Sequence, residues 1–338
     1  MSDIPDTPPD QVADGVWAIP VKIPSPRLKV VNSYAFDAGD GGLVLVDLGY
    51  SDDRSLASLE AGLAAIGAKV EDVRGVLFTH SHGDHYGLAG IVQERSGAWL
   101  GLHQADVWLV EQIAGTRTEG GGLRETLEVA GAPVPESEGD APGRTWTFPP
   151  PLPERILADG DRLQLGAYEA VVHHTPGHSP GHLCFEVRDA GVVLTGDHIL
   201  SRTTPNVAAW PWTTTDPLGD YLQALSAAER FGDGLLGLPG HEDQMDDVGA
   251  RAREIRDHHE EQLRAVIDIV GDGQATIAEV AEQMDWSRPW DKLTPMDRIM
   301  ALGEGNAHLR LLETRGQLQR TDQRPELWSR VNGGALDR

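Results

Sequence analysis

The segment His80-Ser81-His82-Gly83-Asp84-His85 puts three imidazoles and a carboxylate into six residues, directly after an apolar run from Val73 to Thr79. Side chains alternate along an extended chain, so at a strand-to-helix turn His80 and His82 point together while Asp84 and His85 face a second centre. Three later segments carry the same residue types beside glycines. They are His174-Thr-Pro-Gly-His178-Ser-Pro-Gly-His182, Thr195-Gly-Asp197-His198 and Pro239-Gly-His241. Imidazoles and carboxylates gathered this way bind a divalent cation, and the set suits Zn²⁺, Mn²⁺ or iron without selecting sharply among them. The tight Gly/Pro loop projects His178 as a ligand. His173 and His174 are expected to finish the preceding strand, and His182 to pack beside the site.

These residues need strands to carry them. Gly15 to Ile23, Lys29 to Phe36 and Gly42 to Asp47 read as strands joined by turns, and Ser51 to Ile66 as a helix with Leu56, Leu59, Leu63 and Ile66 on one face. Strands and helices then alternate to about residue 115, the pattern of a layered αβ fold. Residues 116–152 break the rhythm with a Gly run, an amphipathic patch from Leu123 to Val129 and a proline-rich stretch; they are read as a lid-like insertion. Strands resume at Arg155–Leu157, Leu163–His174, Leu183–Val187 and Gly191–Thr195, followed by a helix over Pro217–Phe231 and a strand ending at Gly240. From residue 246 the pattern turns helical. Ile255, His259, Leu263, Val266, Ile267 and Val270 form a stripe, Thr276 with Glu279 makes a capping box, and Thr294-Pro295 opens another helix that Gly316 stops. Two short strands around a proline turn close a winged-helix-like module.

The histidine and aspartate motifs, in this order, resemble those of the metallo-β-lactamase-fold hydrolases, and Val-Leu-Val-Asp47-Leu-Gly resembles their early strand-turn motif. The resemblance covers residues 15–245 and implies an α+β fold: an αββα sandwich with a dinuclear site at one edge. By position, His80, His82 and His178 would bind one metal, and Asp84, His85 and His241 the other, with Asp197 bridging and Asp47 holding the ligand loops. The tail is similar to the C-terminal module of the β-lactamase-like protein 2 group and of hydroxyacylglutathione hydrolase-like relatives. The domains implied are a flexible 1–14, a catalytic 15–245 and a mostly helical winged-helix-like 246–338. The implied cofactor is two divalent ions, zinc first, with Fe or Mn as alternatives. The implied reaction is attack of a metal-bridging hydroxide on a thioester or carboxylic ester, with Asp84 orienting it and taking its proton. Phosphodiester or RNA cleavage is the alternative, and a nucleic-acid-binding regulator working through the winged helix is an alternative of another class. Asp197 stands where β-lactamases of the one-Cys subclass carry cysteine, which disfavours antibiotic hydrolysis. Trp210, Trp212 and Trp146, with Phe148, are candidates for an apolar substrate groove.

Composition narrows the partners. The 338 residues hold 53 acids against 28 bases, a formal charge of −25, with 40% hydrophobic residues, enough for a real core. Residues 251–338 hold 16 acids against 13 bases, with no basic stripe on the expected recognition helix, so phosphate contacts are poorly served. The module is therefore read as a packing, pocket-forming or dimerising element, and the expected partner is a small-molecule or acyl-carrier ester. No apolar run approaches the roughly 18 residues of a membrane span, and the first 15 residues show no secretory pattern. The single cysteine, Cys184, excludes an internal disulfide, fits a reducing cytoplasm and is expected to be a buried apolar filler.

Overall fold

The computed structural model describes residues 7–25, 28–115, 121–134 and 150–331. Its contacts divide the chain into two compact units. One takes the described parts of 1–117, 144–205 and 227–252; the other takes those of 118–143, 206–226 and 253–338.

In the first unit, β1 (Asp10–Ala13), β2 (Val16–Lys22), β3 (Val30–Asp37) and β4 (Leu43–Val46) form an antiparallel meander. After α1 (Asp53–Ala65), β5 (Val73–Leu77) adds in parallel to β4. The short α2 (Gly83–Tyr86) and α3 (Ala89–Ser96) lead to β6 (Trp99–His103), then α4 (Gln104–Gly115). Helix α5 (Gly121–Ala130) belongs to the other unit, and β7 (Arg155–Leu157) completes the seven-stranded sheet beside β6. A second, five-stranded sheet runs in the order β12-β11-β10-β9-β8. Its members are β8 (Arg162–Leu165), β9 (Tyr168–His174), β10 (Leu183–Val187), β11 (Val192–Gly196) and, after α6 (Pro217–Phe231), β12 (Leu236–Pro239).

Strand alternation builds two cores from the first sheet. Val16, Ala18, Tyr34, Phe36, Val44 and Val46 pack with Leu183, Phe185, Val192 and Leu194 of the second sheet. The intervening Ile19, Val21, Val31, Ala35, Leu43 and Leu45 pack with Leu59 and Leu63 of α1, Val92 of α3 and Val107 and Val110 of α4. The period of two thus gives each strand one face per core. Cys184 on β10 is fully buried, and burial pushes its thiol up to about 12, so it packs as the expected apolar residue.

The second unit is mostly helical. α7 (Val248–Val270) buries Ile255, His259, Leu263, Val266 and Val270 on one stripe. α8 (Ile277–Gln283) and α9 (Pro295–Thr314) each start in a capping box, Thr276 with Glu279 and Thr294 with Asp297. The antiparallel hairpin of β13 (Leu318–Arg320) and β14 (Trp328–Arg330) buries Trp328. Within 116–152, the patch Leu123–Val129 is helical: α5 buries Leu127, Val129 and Ala130 and contacts α8 and α9. Residues 116–120 and 135–149 of the expected lid, with Trp146 and Phe148, lie outside the described residues.

A loop in this unit is strapped along α9. Asn306 Nδ2 donates to Ala209 O (2.8 Å), Ala209 N to Gly303 O (2.9 Å) and Asn206 Nδ2 to Glu304 Oε2 (2.8 Å). Glu304 keeps a partly accessible edge, yet burial of its carboxyl pushes it up to about 7, against the opposing bond from Asn206. The folded chain therefore holds this proton more tightly than the unfolded chain. Its stabilising contribution is full below the ordinary carboxylate range and is lost as pH rises through about 7. Glu304→Gln removes the titration while keeping an acceptor for Asn206. Its melting temperature is expected to exceed that of the wild type at pH 8, with the gap shrinking toward pH 5. A gap that does not change with pH contradicts this reading of Glu304.

Candidate metal centre

The proposed ligands all lie in the first unit, at strand ends: His80 and His82 after β5, Asp84 and His85 on α2, His178 between β9 and β10, Asp197 after β11, and His241 after β12. Their ligand atoms fall into overlapping groups in which every atom lies within 4.8 Å of the others. These are His80/His82/His178, Asp84/His85/His241, and a middle group of His80/His85/Asp197.

In the first group, Nδ1 of His82 lies 2.9 Å from Nε2 of His80 and 3.0 Å from Nε2 of His178. A relay fixes the tautomer of His80. The carboxylate of Asp47 can only accept, so Thr79 Oγ1 donates its one hydrogen to Asp47 Oδ2 (2.8 Å). Thr79 Oγ1 must then accept from His80 Nδ1 (3.0 Å), which leaves the lone pair of His80 on the inward Nε2. Burial, reinforced by the neighbouring imidazoles His85 and His82, holds the pKa of His80 well below the usual histidine range.

The second group follows the same rule. His85 Nδ1 donates to Asp47 Oδ2 (2.8 Å) and His241 Nδ1 to the carbonyl of Val30 (2.7 Å), so both Nε2 atoms face inward. His241 Nε2 stands 3.4 Å from Asp84 Oδ2. Asp197 reaches both groups: Oδ1 lies 3.6 Å from His85 Nε2, while Oδ2 lies 3.7 Å from His178 Nε2 and 3.5 Å from His241 Nε2. Burial disfavours the charge on Asp197, but the cationic forms of His241 and His85 outweigh it and hold the carboxyl well below its usual range.

The donor set fits divalent cations on an observation of its own. His85 Nε2, His241 Nε2 and Asp197 Oδ1 are buried without hydrogen-bond partners among the described residues. Buried polar atoms left without hydrogen bonds are costly, and a cation that displaces the ring protons would satisfy them together. His80, His85 and His241 each show the outer hydrogen bond from the second nitrogen that metal-ligating imidazoles characteristically make. His182, by contrast, accepts from Asp197 N through Nε2 (3.1 Å) and so donates through Nδ1 to Thr175 Oγ1 (2.9 Å). With both nitrogens committed, it packs beside the centre as expected. His173 and His174 end β9 as expected.

Asp47 is 1% exposed and adopts a left-handed backbone (φ +57°) just after β4. Its Oδ1 also takes the N–H of Thr79 (2.9 Å), so one carboxylate ties the loop of His80 to the ring of His85. Sequence reasoning missed several positioning groups. Thr79 carries the relay to His80, while Asn32 Nδ2 donates to the carbonyls of Pro239 and Glu242 (3.1 and 3.0 Å), and Tyr34 Oη donates to Pro239 O (2.7 Å). These β3 groups hold the loop bearing His241. Two glycines permit the close approach of strand ends. A Cβ on Gly196, whose φ is +49°, would lie 2.7 Å from Thr79 Cβ and from His182 Nε2, and one on Gly240 would lie 2.6 Å from Asp197 Oδ1. Trp210 and Trp212 stack on each other in the second unit (centroids 6.0 Å apart), with Trp210 against Gly303 of α9.

A family model described as the metallo-beta-lactamase superfamily matches residues 26–241. The solved structure of a metallo-beta-lactamase family protein from Thermus thermophilus aligns with a TM-score of 0.82 at 30% identity, covering 95% of this chain and 100% of the other. The hydroxyacylglutathione hydrolase of Cereibacter sphaeroides is 27% identical over 175 residues, 50% of this chain and 49% of that protein. The acyl-coenzyme A thioesterase of Gallus gallus is 28% identical over 166 residues, 48% of this chain and 54% of that protein. The chain thus spans about half the length of each of these two curated relatives.

Proposed function

This chain belongs to the metallo-beta-lactamase superfamily, and from that premise we propose that it is a dinuclear metal-dependent hydrolase of thioesters. The observation that carries the proposal is the pair of inward-facing ligand groups joined by Asp197, with buried polar atoms that have no hydrogen-bond partner among the described residues. His80, His82 and His178 would hold one ion and Asp84, His85 and His241 the other, with Asp197 within reach of both groups. Zinc is our first choice of ion because imidazole and carboxylate donors suit it, with iron or manganese as the alternatives. When bound, two such ions supply hydroxide at neutral pH and polarise the ester carbonyl.

The chain's own residues do the rest. Asp47 and Thr79 fix the rings of His85 and His80, so the centre keeps its geometry through the reaction. Asp84, 24% exposed, is more open than Asp197; it takes the one proton of the attacking hydroxide as the tetrahedral adduct collapses and passes it to the departing sulfur. The bond formed joins hydroxide oxygen to the acyl carbon, and the bond broken is carbon–sulfur, whose electron pair leaves on the sulfur that Asp84 then protonates. The products are a carboxylate and a thiol.

A thioester is supported by what the relatives are called, a hydroxyacylglutathione hydrolase and an acyl-coenzyme A thioesterase. It is supported too by a charge of −25, which repels a long polyanion more than a compact ester. The three C-terminal helices and hairpin are read as a winged-helix-like module over 246–338 that packs or dimerises rather than reads nucleic acid. We place the protein in the cytoplasm because its lone cysteine suits a reducing compartment. Among the described residues no helix is long and apolar enough to cross a membrane.

The test is a hydrolysis panel on the metal-loaded protein: acyl thioesters, a lactone, a bis-aryl phosphodiester and a chromogenic β-lactam. Thioester turnover is expected to dominate and to disappear on chelation. Dominant phosphodiester turnover overturns the substrate assignment.

A further inference from the structure

Asp106 sits in the first turn of α4, directly after β6, and is completely buried. Its Oδ2 accepts the backbone N–H of Ser81 (2.8 Å) and the hydroxyl of Ser179 (3.0 Å), and its Oδ1 accepts the N–H of Gly181 (2.6 Å). Ser81 lies between His80 and His82, and Ser179 follows His178. A single carboxylate therefore joins the two loops that carry all three histidines of the first ligand group. The approach is close enough to require glycine at 181, where a Cβ would lie 2.6 Å from Asp106 N and 2.8 Å from Oδ1.

We propose that Asp106 is the positioning residue of the His80/His82/His178 group, setting the distance between its two loops. The inference rests on the metal-centre reading above. Its physical basis is the acceptor-only character of a carboxylate, which meets three donors from two separate segments without conflict. An asparagine has the same shape but one oxygen. Whichever way its amide is turned, an NH₂ group faces at least one of these N–H or O–H donors, and a buried donor loses its partner. Removing the outer hydrogen bonds of a metal centre lowers affinity by about 10–100-fold.

The experiment uses the full chain as wild type, Asp106→Asn and Ser179→Ala. Zn²⁺ affinity is measured by competition with a chromogenic chelator, amide exchange at Ser81 and Gly181 by NMR on the metal-free protein, and folding by circular dichroism. The expected result for Asp106→Asn is a folded protein with Zn²⁺ affinity lowered about 10–100-fold and with exchange protection lost at Ser81 and Gly181. Ser179→Ala shifts affinity the same way by less, since it removes one donor only. Wild-type affinity in a folded Asp106→Asn variant overturns the proposal. If Asp106→Asn does not fold, Ser179→Ala decides, and unchanged affinity there overturns it. If the wild type takes no Zn²⁺, the metal-centre reading fails by itself. Exchange then judges the clamp: retained protection in the Asp106→Asn variant refutes it, and lost protection supports it.

Discussion

Replacing Asp197 by alanine is expected to empty both ligand groups and to lower thioester turnover by roughly 10³-fold or more. Losing several kcal/mol of transition-state stabilisation, at about 1.4 kcal/mol per tenfold step, amounts to this. Asp197 is the residue on which the two groups converge. Its oxygens lie 3.5 to 3.7 Å from the nitrogens of His85, His178 and His241, and its backbone N–H is pinned by His182 at 3.1 Å. It is also the negative charge facing the buried imidazoles of His241 and His85, so its loss removes the anion that balances their charge in a poorly solvated place. Asp197→Asn keeps the shape without the charge and is expected to fall between wild type and alanine. Metal content per chain and kcat on a thioester, measured on the same preparations, check the prediction. An alanine variant that retains two ions and near-normal turnover contradicts the bridging role.

Asp84→Asn is expected to act differently, lowering kcat by about 10²–10⁴-fold, the range of a general acid–base contribution, while metal content stays near that of the wild type. Burial raises the carboxyl of Asp84, but the ion pair with His241 (3.4 Å) and the nearby charge of His85 outweigh it, so its pKa is lowered and it stays ionised. Asparagine retains an oxygen at the ligand position and cannot take up a proton. The informative pattern is a fall in kcat with little change in KM, because the proton acceptor acts in the transition state and not in substrate binding. If both ions were lost along with activity, Asp84 would be a ligand whose proton-accepting role had not been separated. Full activity with both ions retained would refute that role.

The site was legible in the sequence to the extent that one strand end delivers adjacent side chains. His80, His82, Asp84 and His85 stand within six residues, and glycines mark the turns that present His178, Asp197 and His241. The apolar runs at 15–23, 29–36 and 42–47 also anticipated β2, β3 and β4, though not that each strand would face a core on both sides. What stayed hidden depends on stacking between distant segments. Asp106 meets Gly181 across 75 residues and Tyr34 meets Pro239 across 205, and neither pair has a spacing that a linear pattern can register. Thr79 looked like the last apolar-strand residue, because the relay it carries exists only once Asp47 is folded beside it. In the insertion, glycines flanking Leu123–Val129 masked a helix whose buried side chains are specified by α8 and α9. Trp210 was a groove candidate on residue type alone, whereas its position is set by Gly303 and the strapped loop along α9.

The most direct test of the dinuclear reading is a titration of chelator-stripped protein with Zn²⁺, following initial thioester hydrolysis rate against equivalents added per chain. The predicted curve starts near zero and reaches its plateau at two equivalents. A plateau at one equivalent, or a full rate in stripped protein, would contradict it.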